Sequence, residues 1–495
     1  MTTFEPPGPG GWKRLADHFP GALTPEYQLL YTETAPPAMA LYMARYGVLA
    51  RTLDIAYVHG HLYIAPVPLA GRREMRRPPP ATAVWLLSRL HPEFRRRTAA
   101  ARRALADRPW RAAAERWFAS ERAEWHRRDQ GMQDIDPAQL DDDSLSHHLA
   151  DSRALVVDGY RRHFELHGDD LLPLGLLLVR ATEWGLDPAT VLRALDGASP
   201  VSTGTVTPPA WQLVTGYDLD NLSWCELQGR VAGTGDARPH ATIDLQPLVA
   251  PEHRAELDRL VADARAAVPL RDDNGALTGA WPMGLLRRAM LEAGHRIDLQ
   301  QTDHAVELTV GELRRRLAGA AAPSADDAAE RAATRRRDSA LDAPATLGPD
   351  FAIPPLSALP RPLALIGAAQ LASADHMLGN GTTAVGIGTA PYTGRALVVD
   401  DPNAALDEIE PGDIVITRAT SPSWNVVLVH AGALVTTTGG LLSHAAVIAR
   451  ELAIPAVIGD RSAHQRFTTG MAVTVDPLPA TVTAADRDPT RASAS

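Results

Sequence analysis

The segment Val435-Thr-Thr-Thr-Gly-Gly-Leu-Leu-Ser-His-Ala-Ala-Val-Ile-Ala-Arg450 holds the side chains best equipped for chemistry. An apolar strand pattern ends at the threonines, Gly439-Gly440 permit a tight turn with close backbone approach, and Ser443 is a good helix cap. His444 therefore stands at a predicted helix N-terminus. The unpaired N–H groups and positive dipole end there attract phosphate and disfavour imidazolium, which keeps the ring neutral and nucleophilic. A histidine so placed can take and hold a phosphoryl group, with donors from the Gly439-Gly440 turn and from Thr436, Thr438, Ser443 and Arg450 around it. Taken alone, a histidine beside a Gly-Gly turn is more often a structural one.

The elements that must position this histidine are short apolar runs divided by turns: Ala396–Asp400, Asp413–Thr417, Ala433–Thr436, Ala456–Gly459 and Ala472–Asp476, with one helix at about Ser443–Leu452. They predict a compact α/β domain over residues 376–486, followed by a polar, disordered tail at 487–495. Residues 1–345 are mostly helical in pattern, with amphipathic stretches near Pro36–Leu53, Ser144–His167, Ala189–Leu195, Pro251–Ala267 and Met283–Gly294. Extended pieces at Leu53–His59 and Leu62–Pro66 interrupt them. Between the two parts, residues 346–375 are rich in proline and read as a stiff, extended linker suited to a domain that relocates as a body. The fold class expected is thus multidomain: a large, mainly α-helical substrate-binding domain plus a C-terminal α/β swivelling domain.

Other chemistries are thinned out by composition. Lys13 is the only lysine, close to an N-terminus expected to fray, so neither a Walker-type phosphate loop nor Schiff-base chemistry has its residue. The single cysteine, Cys225, excludes an internal disulfide and reads as a small buried apolar group. A net charge of −10 argues against nucleic acid as main partner, and no apolar run is long enough to span a membrane, so a cytoplasmic location is expected. Against that charge, residues 71–130 hold 16 arginines and 7 acids, read as solvated helix faces or as a dock for an acidic partner. His163 and His167, one turn apart and followed by Asp169 and Asp170, have a spacing compatible with a metal, but lack the H-E-x-x-H pattern and a third ligand; a helix face lining a cleft is the preferred reading, and no metal site is assigned. Trp211, Trp224 and Trp281 suit either an apolar pocket or a packed core.

Thr436, Gly439-Gly440, Ser443-His444-Ala445-Ala446, Ala449-Arg450 and Ile454-Pro-Ala-Val-Ile-Gly459 resemble the phosphohistidine signature of the PEP-utilising enzymes, a family that includes phosphoenolpyruvate synthase, pyruvate phosphate dikinase and rifampicin phosphotransferase. Gly386–Gly394, Glu410–Ile416 and Gly470–Asp476 are similar to flanking parts of the same domain. The front of the chain resembles the substrate-binding domain of the rifampicin phosphotransferase-like branch through Trp12–Pro20, Leu270–Asn274, Leu285–Ala289, Asp303–Leu313, Arg335–Arg337 and Leu347–Pro349. That resemblance implies that Arg271 and Asp272 lie near the substrate, with Asp273, Tyr217, Glu226, Arg288 and His304 as further substrate-binding candidates. The ATP-grasp domain usual in the family has no counterpart in the sequence.

The function expected from these residues is phosphotransfer from a phosphohistidine at His444 to a hydroxyl of a small molecule, a secondary metabolite by the resemblance. Arg271 would neutralise charge on the moving group, and Asp272 or His304 would act as base. No tightly bound cofactor is expected; ATP and Mg2+ would be used by a separate ATP-grasp protein acting in trans. Two alternatives stand beside it: a repurposed lyase, dehydratase or cyclase with His444 as acid/base, and a non-catalytic phospho-carrier.

Overall fold

The computed structural model describes residues 2–16, 18–19, 21–71, 79–198, 243–299, 301–349, 353–378, 384–420 and 424–485. The chain forms two compact units. Described residues of the first fall in Met1–Leu172 and Asp273–Gln370, and those of the second in Pro173–Thr215, Glu226–Asp272 and Leu371–Ser495. It is mainly helical, with a C-terminal α/β region.

In the first unit, strand β1 (Trp12–Arg14) pairs on one side with β3 (His61–Pro68) and on the other with β4 (Thr346–Leu347), and β2 (Ala50–Val58) completes a four-stranded antiparallel sheet. Lys13, expected in a frayed terminus, is thus part of an inner strand. His59 and Gly60 at φ 50° and 73° form the two-residue turn between β2 and β3, a backbone shape whose twist matches a hairpin.

Helix α1 (Pro25–Tyr46) starts eleven residues earlier than the expected Pro36 and gives way to β2 where the helix was expected to continue. Pro25 occupies the first turn, where no N–H is needed, and Gly47 in the left-handed region returns its N–H to Met43 O. Tyr27, Leu30, Tyr31, Thr34, Ala38, Tyr42 and Tyr46 form a continuous buried stripe at helical spacing that runs through Pro36 and Pro37. Tertiary packing of that stripe outweighs the two prolines. The other helices that matter below are α2 (Arg122–Gln133), α3 (Asp142–Glu183), α4 (Arg254–Gly275), α5 (Trp281–Arg296), α6 (Ala325–Ser339) and α7 (Arg361–Leu378). A reciprocal Ser324/Asp327 capping box sets the start of α6.

The described residues of the linker expected at 346–375 are instead folded. Thr346–Leu347 is β4, Leu356–Ala358 is a short 3-10 turn, and α7 runs unbroken from Arg361. Its prolines precede the helix or, like Pro362, sit in its first turn, where proline costs no hydrogen bond. Leu363 and Ile366 beyond them are fully buried.

In the second unit, seven strands lie in the order β11-β10-β6-β7-β8-β9-β5. The inner four, β6 (Tyr392–Val398), β7 (Ile414–Thr417), β8 (Ala433–Thr436) and β9 (Ala456–Ile458), are parallel; β5 (Val385–Ile387), β10 (Ala472–Asp476) and β11 (Thr481–Ala484) join antiparallel at the edges. Residues of β7, β8 and β9 are all buried, as expected of parallel strands covered on both faces. Helix α8 (His444–Glu451) follows β8. The parallel order brings the carboxyl ends of β7, β8 and β9 to one edge, where open α/β sheets place their ligands.

Candidate phosphohistidine site

After β8 the chain turns through Thr437–Leu442 and enters α8 at Ser443, whose extended backbone and side-chain oxygen, accepting from Ala446 N at 3.3 Å, make it the helix cap. His444 is the first helical residue and is half-buried. Gly439 holds φ at 104°, and a Cβ there would come within 2.9 Å of Ser443 Oγ, so the turn needs glycine both for its backbone shape and for the cap.

Nδ1 of His444 lies 2.8 Å from Oγ1 of Thr420, a buried threonine just past the end of β7. Thr420 went unnoticed in the sequence. The one available signal was its position three residues beyond a parallel strand neighbouring the histidine's own. The contact holds the ring in place, and in the tautomer whose Nδ1–H donates to the Thr420 hydroxyl the nucleophilic lone pair is on Nε2.

The other residues expected around His444 are brought together, most of them holding the turn. Thr436 Oγ1 donates to Thr438 O at 2.7 Å, and Thr438 Oγ1 donates to Arg418 O at 2.8 Å. Arg450 donates from Nη1 to Leu441 O at 2.9 Å, with Asp196 3.9 Å from its Nε. Arg271, on α4, donates from Nη2 to Leu442 O at 3.0 Å, and Leu442 N donates to His376 O at 2.8 Å. Two guanidinium groups thus grip consecutive carbonyls immediately before the cap of the histidine helix. The side chain of Asp272, also on α4, falls outside the described residues, as do Tyr217, Glu226, Trp211, Trp224 and Cys225.

The remaining candidates belong to the first unit, where Asp273 and Arg288 have local work. Asp273 accepts from Trp117 Nε1 at 2.7 Å and from Arg122 Nε at 2.9 Å, a saturated and nearly buried counter-ion. Arg288 donates from Nη2 to the carbonyls of Met132, Gln133 and Ile135, capping the C-terminal end of α2 where a cation suits the dipole. His304 is buried, and neither ring nitrogen has a hydrogen-bond partner. Trp281 is core, its Nε1 donating to Gln133 at 2.8 Å.

His163 and His167 pack ring against ring at 4.7 Å between centroids. Asn274 Nδ2 lies 3.2 Å from His163 Nδ1, Asp170 lies 3.9 Å from His167 Nδ1, and buried Asp169 is bonded by the Tyr46 hydroxyl and by Arg45. Burial pushes the Asp169 carboxyl up from the usual range, with Tyr46 and Arg45 opposing. Among the described residues no group of three or more His, Cys, Asp or Glu side chains has a metal-holding arrangement, and no helix is long and apolar enough to cross a membrane.

Residues 409–478 match the family model described as the mobile domain of PEP-utilising enzymes. Over 95 residues the chain is 41% identical to the uncharacterized phosphotransferase YvkC of Bacillus subtilis (strain 168), covering 19% of this chain and 11% of that protein. It is 43% identical over 91 residues to phosphoenolpyruvate synthase of Aquifex aeolicus (strain VF5), covering 18% and 10%, and 49% identical over 70 residues to phosphoenolpyruvate synthase of Escherichia coli (strain K12), covering 14% and 9%. The chain spans about a tenth of the length of these curated relatives.

Proposed function

We propose that this chain is a phosphohistidine-using phosphotransferase whose phosphoryl group is carried on Nε2 of His444. The observation that carries the reading is the Thr420–His444 contact at the start of a capped helix. It orients the imidazole and, with Nδ1–H donating to the hydroxyl, leaves Nε2 free to attack, while the helix N-terminus offers N–H groups to the phosphoryl oxygens. Similarity to the mobile domain of PEP-utilising enzymes, and to relatives named as a phosphotransferase and as phosphoenolpyruvate synthases, supports the same chemistry.

In this reading Nε2 attacks the terminal phosphorus of a donor, an N–P bond forms and the donor's P–O bond breaks. A hydroxyl oxygen of a small-molecule acceptor, a secondary metabolite in our reading, then attacks the same phosphorus; the N–P bond breaks, and a base, Asp272 or His304, takes the hydroxyl proton. Arg271 offsets the charge of the moving group and Arg450 that of the phosphohistidine. The donor step belongs to a separate ATP-grasp protein using ATP and Mg2+.

The test is intact-mass spectrometry of the chain with ATP, with phosphoenolpyruvate and with candidate ATP-grasp proteins, beside a His444→Ala control. A gain of one phosphoryl group, absent in the variant, is expected. If turnover of a substrate requires His444 while no phosphorylated form accumulates or turns over, His444 acts as acid/base and the phosphotransfer reading fails.

A further inference from the structure

A cleft of about 560 Å3 opens in the first unit, within the volume range of small-molecule sites. One wall is a single face of α6, where residues 327, 330/331, 334/335 and 338 recur at helical spacing. Facing it is an apolar wall of Ala22, Leu23 and Pro25 from the start of α1, with Pro323 at one end.

The charges of the cleft are unevenly satisfied. Arg335 donates from Nε and Nη2 to one oxygen of buried Glu307 at 2.9 and 2.6 Å. Arg331 donates to both oxygens of Glu312, at 3.0 and 3.1 Å, and to Glu307 O at 3.1 Å. Although burial opposes it, those bonds and the Thr309 cap hold the Glu312 carboxyl below its ordinary value, so it is the ionised partner that neutralises Arg331. Glu330 and Asp338 line the same cleft and form no ion pair among the described residues. The cleft therefore presents two saturated guanidinium groups, the Asp327 carboxylate held by the Ser324 cap, and two further carboxylates with no ion pair among the described residues, a balance that disfavours an anion and favours a cation.

The spacing narrows the ligand. Glu330 and Asp338 are eight residues apart on one helix face, about 12 Å along the axis at 1.5 Å per residue. Thr334, exposed and midway between them, has a hydroxyl that accepts from Arg337 Nη2 at 3.0 Å. A single metal ion cannot bridge that span. Behind the cleft, the buried Thr24 hydroxyl, between Leu23 and Pro25, and Nδ1 of buried His61, beside Gly60, have no hydrogen-bond partner.

We propose that this cleft binds a linear organic polycation of the polyamine class, its terminal ammonium groups on Glu330 and Asp338 and its alkyl segments against Ala22, Leu23 and Pro25. The proposal is independent of the chemistry at His444.

Calorimetric titration of the full chain with spermidine tests it, with the shorter putrescine, monovalent propylamine and inorganic phosphate as comparisons. Spermidine should bind more tightly than either amine, phosphate should not bind, and added salt should weaken the complex. Glu330→Gln and Asp338→Asn should each weaken spermidine severalfold and together about tenfold or more, as expected for partly exposed ion pairs. His444→Ala should leave binding unchanged. Absence of spermidine binding, equal affinity for propylamine, or full binding by the Glu330→Gln/Asp338→Asn double variant would each overturn the assignment.

Discussion

The hydroxyl of Thr420 and Nδ1 of His444 lie 2.8 Å apart although the residues are 24 positions apart in the chain. They meet because β7 and β8 are parallel neighbours, so the segments leaving their carboxyl ends converge. In the proposed reading, this contact favours Nε2 as the nucleophile.

Thr420→Val should remove the acceptor for Nδ1–H and let both imidazole tautomers populate. Loss of one buried hydrogen bond of this kind corresponds to roughly a tenfold fall in the rate of phosphohistidine formation. Nitrogen-15 shifts of the His444 ring report the tautomer without any phosphoryl donor, and Thr420→Ser should restore the wild-type pattern. An unaltered ring spectrum in the valine variant would remove Thr420 from the site.

Gly439→Ala should strain the histidine turn, because φ there is 104° and the new methyl would press on Ser443 Oγ at 2.9 Å. The expected cost is about 1–3 kcal/mol, with the helix cap displaced. Gly440, whose φ is not in the positive range, serves as the comparison. Urea unfolding of the two alanine variants checks the difference, and equal stabilities would refute it.

Asp129, in α2, is fully buried with no hydrogen bond to either oxygen, and burial pushes its carboxyl up to about 9. The folded state therefore holds this proton between about pH 4 and 9, where the unfolded chain has released it. Stability from this group is complete below pH 4 and is lost as pH rises toward 9. Asp129→Asn should flatten that decline and be more stable than the parent by at least about 1 kcal/mol at pH 8, with little difference at pH 4. Denaturant midpoints across that range decide it; parallel curves for the two proteins would contradict the prediction.

Arg335→Met should be strongly destabilising, because Glu307 is only 2% exposed and depends on the guanidinium for compensation. A loss of about 3 kcal/mol is expected. The double variant Glu307→Gln/Arg335→Met should recover part of it, since the glutamine leaves no buried charge behind. Thermal unfolding of the single variants Arg335→Met and Glu307→Gln and of the double variant measures the coupling, and simple additivity would mean that the pair contributes nothing.

The phosphohistidine region was the most legible part of the sequence. Ile414–Thr417, Ala433–Thr436 and Ala456–Ile458 are short apolar runs bounded by turn residues, and such runs have few alternatives to a buried parallel strand. The serine cap and the histidine after it are local features and emerged where the pattern put them. Thr420 did not, because nothing in a threonine's own neighbours says that a strand crossing will aim it at a ring. Prolines misled twice: Pro36-Pro37 resembled a helix start, and those of residues 346–375 resembled a stiff connector. In both places the buried stripe, not the proline, determined the helix. Asp273 and Arg288 have the charges of site residues, yet one is neutralised by Arg122 and hydrogen-bonded by Trp117, and the other closes a helix end. A charged side chain's task depends on its nearest partner, and that partner was distant in sequence.

β1 is an inner strand joined to β3 on one side and to β4 on the other, so residue 12 is hydrogen-bonded in register with residue 347. This sheet cannot be completed during synthesis until the chain has been made past that point. At translation rates of roughly 5–20 residues per second, the first strand waits on the order of half a minute for its last neighbour. Over that interval the nascent chain exposes one edge of β1, where chaperone capture and mispairing with other chains compete with folding.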